Sequence, residues 1–279
     1  MPAAVRRWIA AKPMRDRAYD VAMWVMGPLE RTVVRSSLVA TTPFLPVTEF
    51  PWARTLEANW RTIRAELDTV LLHRDDLPAF HEITADVSDI SDENWRIFAF
   101  YGYGFKSEAN CARCPETARL LREIPGMTTA FFSILAPGKK IPPHRGPWRG
   151  VLRYHLGLLV PHPQACGIKV DGEVARWYEG ESMVFDDAYE HSAWNDTDKT
   201  RVVLFVDFLR PARFPGSWIN RGVIGAVAMS PFVRDAKRKH QAWEKEFGTK
   251  LSAAAGARTA TTAAAGEEVG TPRELAAKR

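Results

Sequence analysis

The stretch from Val151 to Leu159, VLRYHLGLL, constrains this chain more than any other. It reads as a buried β-strand, yet it carries an arginine and a histidine. Side chains alternate faces along a strand, so residues two apart share a side. Leu152, Tyr154, Leu156 and Leu158 take one face, and Val151, Arg153, His155 and Gly157 the other. An arginine beside a histidine in so apolar a strand is costly unless something anionic meets them. The run from Arg201 to Asp207 repeats the pattern. There Val202, Leu204 and Val206 share one face, and Arg201, Val203, Phe205 and Asp207 the other. Two arginines and a histidine aimed into one barrel suit a dicarboxylate, because guanidinium grips carboxylate in a bidentate fork. For Arg153 the alternative is a buried ion pair with an acidic neighbour such as Asp207. His144 and His191 remain as imidazole ligands, each at a strand edge or in a loop.

The surrounding chain frames these two strands. Its 279 residues allow one large or two small domains. A hydrophobic share of 46% and a charged share of 25% are ordinary for a soluble globular protein. A net charge of +5 is too small to argue for nucleic acid. Much of it gathers early, in Arg6, Arg7, Lys12, Arg15 and Arg17, interleaved with Trp8, Ile9, Trp24 and Met26. That pattern reads as a basic amphipathic element in peripheral contact with a membrane, or as a helix packed on the domain. Val21 to Leu29 is too short to span a bilayer, and the start shows no secretory pattern. Three cysteines, an odd number, fit a reducing cytosol, so the expected location is cytoplasmic or peripheral to the inner membrane face.

Prolines 43, 46 and 51 mark an extended connector. Leu56, Trp60, Ile63, Leu67 and Val70 then step as the core stripe of a helix over Thr55 to Leu72. Asn110 to Pro125 reads as a second helix, with Pro115 opening it and Pro125-Gly126 ending it. Cys111 and Cys114 form a CxxC, but no second pair completes a zinc site, and they read as buried thiols. Strands are expected at Trp95 to Tyr103, Thr128 to Leu135, Val151 to Val160, Gly167 to Val170, Val174 to Trp177, Ser182 to Phe185 and Arg201 to Phe208. Asp171-Gly172 marks a two-residue hairpin. Many short strands with Gly/Pro turns argue for a sandwich or barrel. Ser230 to Phe247 reads as a charged helix, and the Ala/Thr-rich end as disordered.

Non-haem iron sites usually show two histidines and a carboxylate, the latter two residues after the first histidine. Here that position is Gly146. On spacing alone the candidate carboxylate is Asp187, four residues before His191. His73, His81, His162 and His240 lack such context and read as structural.

Several spaced motifs then come together. They are PPHRGP at Pro142 to Pro147, LRYHLGL at Leu152 to Leu158, FDDAYEHSAWN at Phe185 to Asn195 and RVVLFVD at Arg201 to Asp207. Upstream stand CPET at Cys114 to Thr117, IPG at Ile124 to Gly126, FS at Phe132-Ser133 and PG at Pro137-Gly138. In this order they resemble the aspartyl/asparaginyl β-hydroxylase family of Fe(II)- and 2-oxoglutarate-dependent oxygenases, over roughly Asn94 to Pro211. The resemblance implies a double-stranded β-helix, a cupin-like jelly roll with flanking helices. It divides the chain into a basic N-terminal segment (1–50), an oxygenase domain (51–248) and a tail (249–279).

It also implies roles. Fe(II) would sit on His144 and His191, with glycine at position 146 belonging to the family pattern and Asp187 acting from just outside the metal. Arg201 and Ser133 would hold the far carboxylate of 2-oxoglutarate, and Arg153 and His155 its other groups. With O2 the product would be a hydroxyl on an unactivated C–H. The first substrate expectation is the β-carbon of an Asp/Asn-type side chain in a peptide, protein or small molecule. The second is a lipid acyl chain, of lipid A or ornithine-lipid type, at a membrane surface. The third reading is a non-enzymatic metal-binding barrel. Arg145, Trp148 and Arg149 could contact an anionic head group or acidic peptide, or simply line the mouth.

Overall fold

The structure, a computed structural model, describes residues 26–84 and 87–267. Two antiparallel sheets face each other. The larger has seven strands in the order β1-β9-β6-β11-β4-β2-β3, the smaller four in the order β5-β10-β7-β8. At the centre of the larger sheet lie β11 (Arg201–Leu209), β6 (Val151–Leu159) and β4 (Met127–Leu135). The strand β2 (Trp95–Gly102) lies beside β4, with β3 (Phe105–Lys106) at the edge. On the far side come β9 (Ser182–Phe185) and β1 (Phe44–Leu45). The smaller sheet holds β5 (Lys140–His144), β10 (His191–Asn195), β7 (Cys166–Val170) and β8 (Glu173–Arg176). This is the expected jelly roll, mainly β with flanking helices.

Alternation decides which face of the large sheet meets what. Leu152, Tyr154, Leu156 and Leu158 of β6 and Val202, Leu204, Val206 and Phe208 of β11 pack outward into one core. Helices α1 (Trp52–Ala58) and α2 (Trp60–Leu71) cover that face, with Leu56, Ile63 and Leu67 buried. Each fully buried large aliphatic side chain contributes about 1.5–3 kcal/mol. Arg153, His155, Arg201 and Asp207 are left facing the interior of the barrel. The single helix expected over Thr55 to Leu72 is two, broken at Asn59. The expected helix at Asn110 to Pro125 is also two short ones, α4 (Glu108–Arg113) and α5 (Pro115–Leu121), because Pro115 cannot continue a helix as donor. A further short helix, α3 (Phe80–Ile83), precedes them.

Other boundaries differ from the sequence reading. The strands β5 and β10 were not expected; Pro142 and Pro143 in one, and polar residues in the other, mask their periodicity. Asp171 and Gly172 both have positive φ, which builds the two-residue turn between β7 and β8. Residues 26–35 are helical, Val33 packs with Trp148 and Val151, and β1 pairs with β9. The basic stretch from Arg6 to Arg17, with Trp8 and Trp24, lies outside the described residues. After β11 come α6 (Gly216–Ala228) and α7 (Pro231–Glu267). Thus the Ala/Thr-rich stretch expected to be disordered is helical as far as Glu267, since alanine has the highest helix propensity and needs no core to favour it. Residues 268–279 lie outside the described part.

Candidate active site

The smaller sheet brings the two motif histidines together. His144 ends β5, His191 begins β10, and the two are register partners. Their ring centroids are 4.1 Å apart. In each ring Nδ1 is held by a nearby backbone carbonyl, Pro142 O at 2.9 Å and Tyr189 O at 3.0 Å. A carbonyl only accepts, so Nδ1 carries the proton and Nε2 keeps its lone pair. Burial, helped by the Arg153 charge, lowers both pKa values, that of His191 to about 3. Both rings are therefore neutral, the form that ligates a metal.

An inner cavity opens below the pair. Ser133, His155, Trp177 and Arg201 line it together with both histidines. Several of its polar groups lack partners. Both ring nitrogens of His155, Nε and Nη1 of Arg201 and Nε1 of Trp177 are buried without a hydrogen bond inside the protein. Burial pulls the Arg201 pKa down to about 10, and the guanidinium lies 4.3 Å over the Trp177 ring. No carboxylate pairs with Arg201 among the described residues. His155 is pushed well below its usual range by burial and by Arg153 and Arg201. Ser133 Oγ accepts from Trp95 Nε1 at 3.1 Å, which leaves its own hydroxyl hydrogen free to donate. A buried unpaired guanidinium beside further unpaired donors is costly, and a carboxylate ligand would relieve it.

Arg153 behaves differently from the dicarboxylate expectation. Its Nε donates to Asp207 Oδ1 at 2.8 Å and its Nη2 to Asp207 Oδ2 at 3.1 Å. Nη2 also lies 2.8 Å from Asp187 Oδ2. The buried ion pair, the alternative weighed from sequence, is what the fold forms. Burial opposes the Arg153 charge, but Asp187 and Asp207 outweigh it and raise its pKa. Burial raises the pKa of the Asp187 carboxyl to about 7, with Arg153 only partly opposing it. Asp187 is thus spent on Arg153 beside the histidines. Among the described residues no cluster of three or more His, Cys, Asp or Glu side chains gathers as metal ligands. Gly146 belongs to the same arrangement, since a Cβ there would collide with the Asp187 carboxylate. The chemistry of the donor set fits iron held by two imidazoles, with the inner cavity beside it.

The outer side of His144 meets a cleft of about 610 Å³. His144 and Arg153 line both the cleft and the inner cavity. The cleft's far wall is apolar, with Ile97, Phe131 and Phe205 from the large sheet and Val223, Ile224 and Val227 from α6. Arg145 is exposed at its edge. Trp148 and Arg149 are not free to meet a ligand. Trp148 is buried and donates to Asn220 Oδ1 at 2.8 Å, and Arg149 is tied to Asp186.

Residues 57–211 match the aspartyl/asparaginyl beta-hydroxylase family. The chain belongs to this family. It is therefore related to hydroxylases over more than the barrel's motifs, since the match begins within α1. It is 45% identical over 233 residues to an ornithine lipid ester-linked acyl 2-hydroxylase of Rhizobium tropici, covering 83% of each chain. It is 32% identical to human aspartyl/asparaginyl beta-hydroxylase, over 58% of this chain and 21% of that one. The chain thus spans about a fifth of the human protein's length. A cupin domain of Schizosaccharomyces pombe Cnp3 aligns at 11% identity and a TM-score of 0.30, over 44% of this chain and 77% of that one.

Within this hydroxylase chain the structure brings His144, His191, Asp187, Ser133, Arg153, His155 and Arg201 into one region. It also adds residues that the sequence did not single out. Trp95 and Trp177 wall the inner cavity, and no local pattern distinguishes them from core tryptophans. Asp186 is fully buried and accepts from Arg210 Nη2 at 2.6 Å and from Arg149 Nε at 3.1 Å. It anchors the turn that carries Asp187 and His191. Asp186→Ala is expected to cost about 3–5 kcal/mol, because it strands the buried Arg210 charge. Urea unfolding of the variant measures this as a lowered midpoint. Of the remaining histidines, His240 is buried between Phe105 and Trp243. Cys111, Cys114 and Cys166 are free and buried, and burial raises their pKa values, which makes them poor nucleophiles.

Proposed function

We propose that this chain is an Fe(II)- and 2-oxoglutarate-dependent hydroxylase acting on the acyl chain of a membrane lipid. The observation that carries the cofactor reading is the inner cavity, where Arg201, His155 and Trp177 present buried donors without partners. His144 and His191 would hold iron through Nε2, while the Pro142 and Tyr189 carbonyls keep the rings in that tautomer. Arg201 and the Ser133 hydroxyl would grip the far carboxylate of the co-substrate. His155, neutral and unpaired, is free to donate to its other end. Iron with 2-oxoglutarate and O2 supplies the oxidising power for hydroxylating an unactivated C–H. The protein's residues then bind, orient and exclude water. Trp95, Trp177 and Phe185 keep the cavity apolar between its polar groups. Arg153 holds Asp187 at a fixed place next to His144. No general base is needed at a C–H of this kind.

The cleft supports the lipid reading over the Asp/Asn side chain. A long apolar wall of Phe131, Phe205, Val223, Ile224 and Val227 suits methylenes, and the Rhizobium relative acts on an acyl chain by name. A side-chain carboxylate would call for a basic group deep in the cleft, and Arg153 is already neutralised. The test is incubation of the protein with Fe(II), 2-oxoglutarate and O2 against acylated aminolipids and against Asp- and Asn-containing peptides. Lipid gaining one oxygen, with one succinate released per hydroxyl, is the expected result. Oxygen gained only by the peptides would contradict it.

A further inference from the structure

Helix α6 is apolar on both sides. One side, with Val223, Ile224 and Val227, lines the cleft. Trp218 and the C-cap Met229 lie about half a helical turn away from Val227, on the outer side. They are 71% and 74% exposed, and Phe214 just before the helix is 72% exposed. Phe214 and Trp218 stack edge to face at 6.1 Å. A helix hydrophobic all round is ordinarily buried. Here Arg221 is the only charged residue within it.

The fringe of this patch is basic. Arg35, Arg213, Arg221 and Arg234 are exposed, and none has an acidic partner among the described residues. Arg213 is fixed against the first helical stretch, since its N–H donates to Ser36 O at 2.8 Å. Among the described residues no helix is long and apolar enough to cross a membrane. Large aromatics ringed by unpaired arginines match the interface of an anionic bilayer, where rings sit at headgroup level and arginines meet phosphate.

We infer that the outer side of α6, with Phe214, Trp218 and Met229, docks on an anionic lipid bilayer. The helix is then a partition with membrane on one side and the cleft on the other. An acyl chain has only to pass the end of α6 to reach the histidines. The inference rests on the lipid-hydroxylase reading for its purpose, but its test does not.

Full-length protein is sedimented without O2 or 2-oxoglutarate, with phosphatidylcholine vesicles that do or do not contain phosphatidylglycerol. The anionic vesicles are expected to carry the protein down, and salt to release it. Phe214→Ser with Trp218→Ser is expected to weaken binding by about tenfold or more. Arg213→Glu with Arg221→Glu is expected to do the same. Both double variants should melt like the parent and bind 2-oxoglutarate equally. Binding that neither pair diminishes overturns the inference. So does binding lost only when residues 1–25 are deleted, or a dimer that covers the patch with no vesicle binding. Docking without any oxygen entering lipid would contradict the lipid-hydroxylase reading and leave the docking surface standing. Hydroxylation of detergent-dispersed lipid without docking would do the reverse.

Discussion

Replacing His191 with alanine is expected to abolish Fe(II) binding and with it all hydroxylation. His144 and His191 are the two imidazoles that pair across β5 and β10, and among the described residues the Asp187 carboxylate beside them is held by Arg153. Changes to groups that merely surround a metal ligand cost about 10–100-fold in affinity. Loss of one of two protein ligands should exceed that. His191 is 5% exposed, so the variant also leaves a small hole. Its melting temperature, measured without metal, separates folding from ligation. A folded His191→Ala protein that still titrates with Fe(II) like the parent would remove His191 from the metal site. His144→Ala should behave in the same way with less effect on folding, because His144 is more exposed.

Arg201→Met is expected to raise the concentration of 2-oxoglutarate needed for turnover by about 30-fold to several thousandfold. Breaking a buried, hydrogen-bonded charge pair with the ligand costs about 2–5 kcal/mol. The same change should leave the ligand-free protein as stable as the parent, or more stable. Its guanidinium is fully buried, has two orphan nitrogens and meets no carboxylate among the described residues. A methionine of similar length removes that burden. Opposite effects on ligand binding and on unliganded stability are the signature of a residue kept for its ligand. Arg201→Lys retains the charge but not the fork, and should recover only part of the binding. Isothermal titration and thermal melts with and without 2-oxoglutarate read both effects. A melting temperature that 2-oxoglutarate raises equally in parent and Arg201→Met would rule out this role.

Much of this arrangement is legible in the chain. Period-two alternation in Val151 to Leu159 and Arg201 to Leu209 separates a fully apolar face from one carrying Arg153, His155 and Arg201. The sheet then needs only to curl for those side chains to meet. The fate of Arg153 is less legible. Asp207 lies directly across from it on β11, and Asp187 reaches it from the turn after β9, both set by register rather than local pattern. The cleft escapes sequence reading for a similar reason. Its walls come from α3, β2, β4 and α6, and each contributes ordinary core residues. The strands β5 and β10 are short, and prolines or alternating polar residues hide them, yet they carry both histidines. Gly146 and Asp187 are intelligible only together, since the glycine leaves the room that the carboxylate fills.

The most direct test of the central claim is an anaerobic titration of the protein with Fe(II) and then 2-oxoglutarate, followed by visible absorption. A charge-transfer band should grow to one equivalent in the parent, be absent in His191→Ala, and need far more 2-oxoglutarate in Arg201→Met. A well-folded parent protein that gives no band, or a band indifferent to His191→Ala, would contradict the reading of the histidine pair and inner cavity as one site for iron and 2-oxoglutarate.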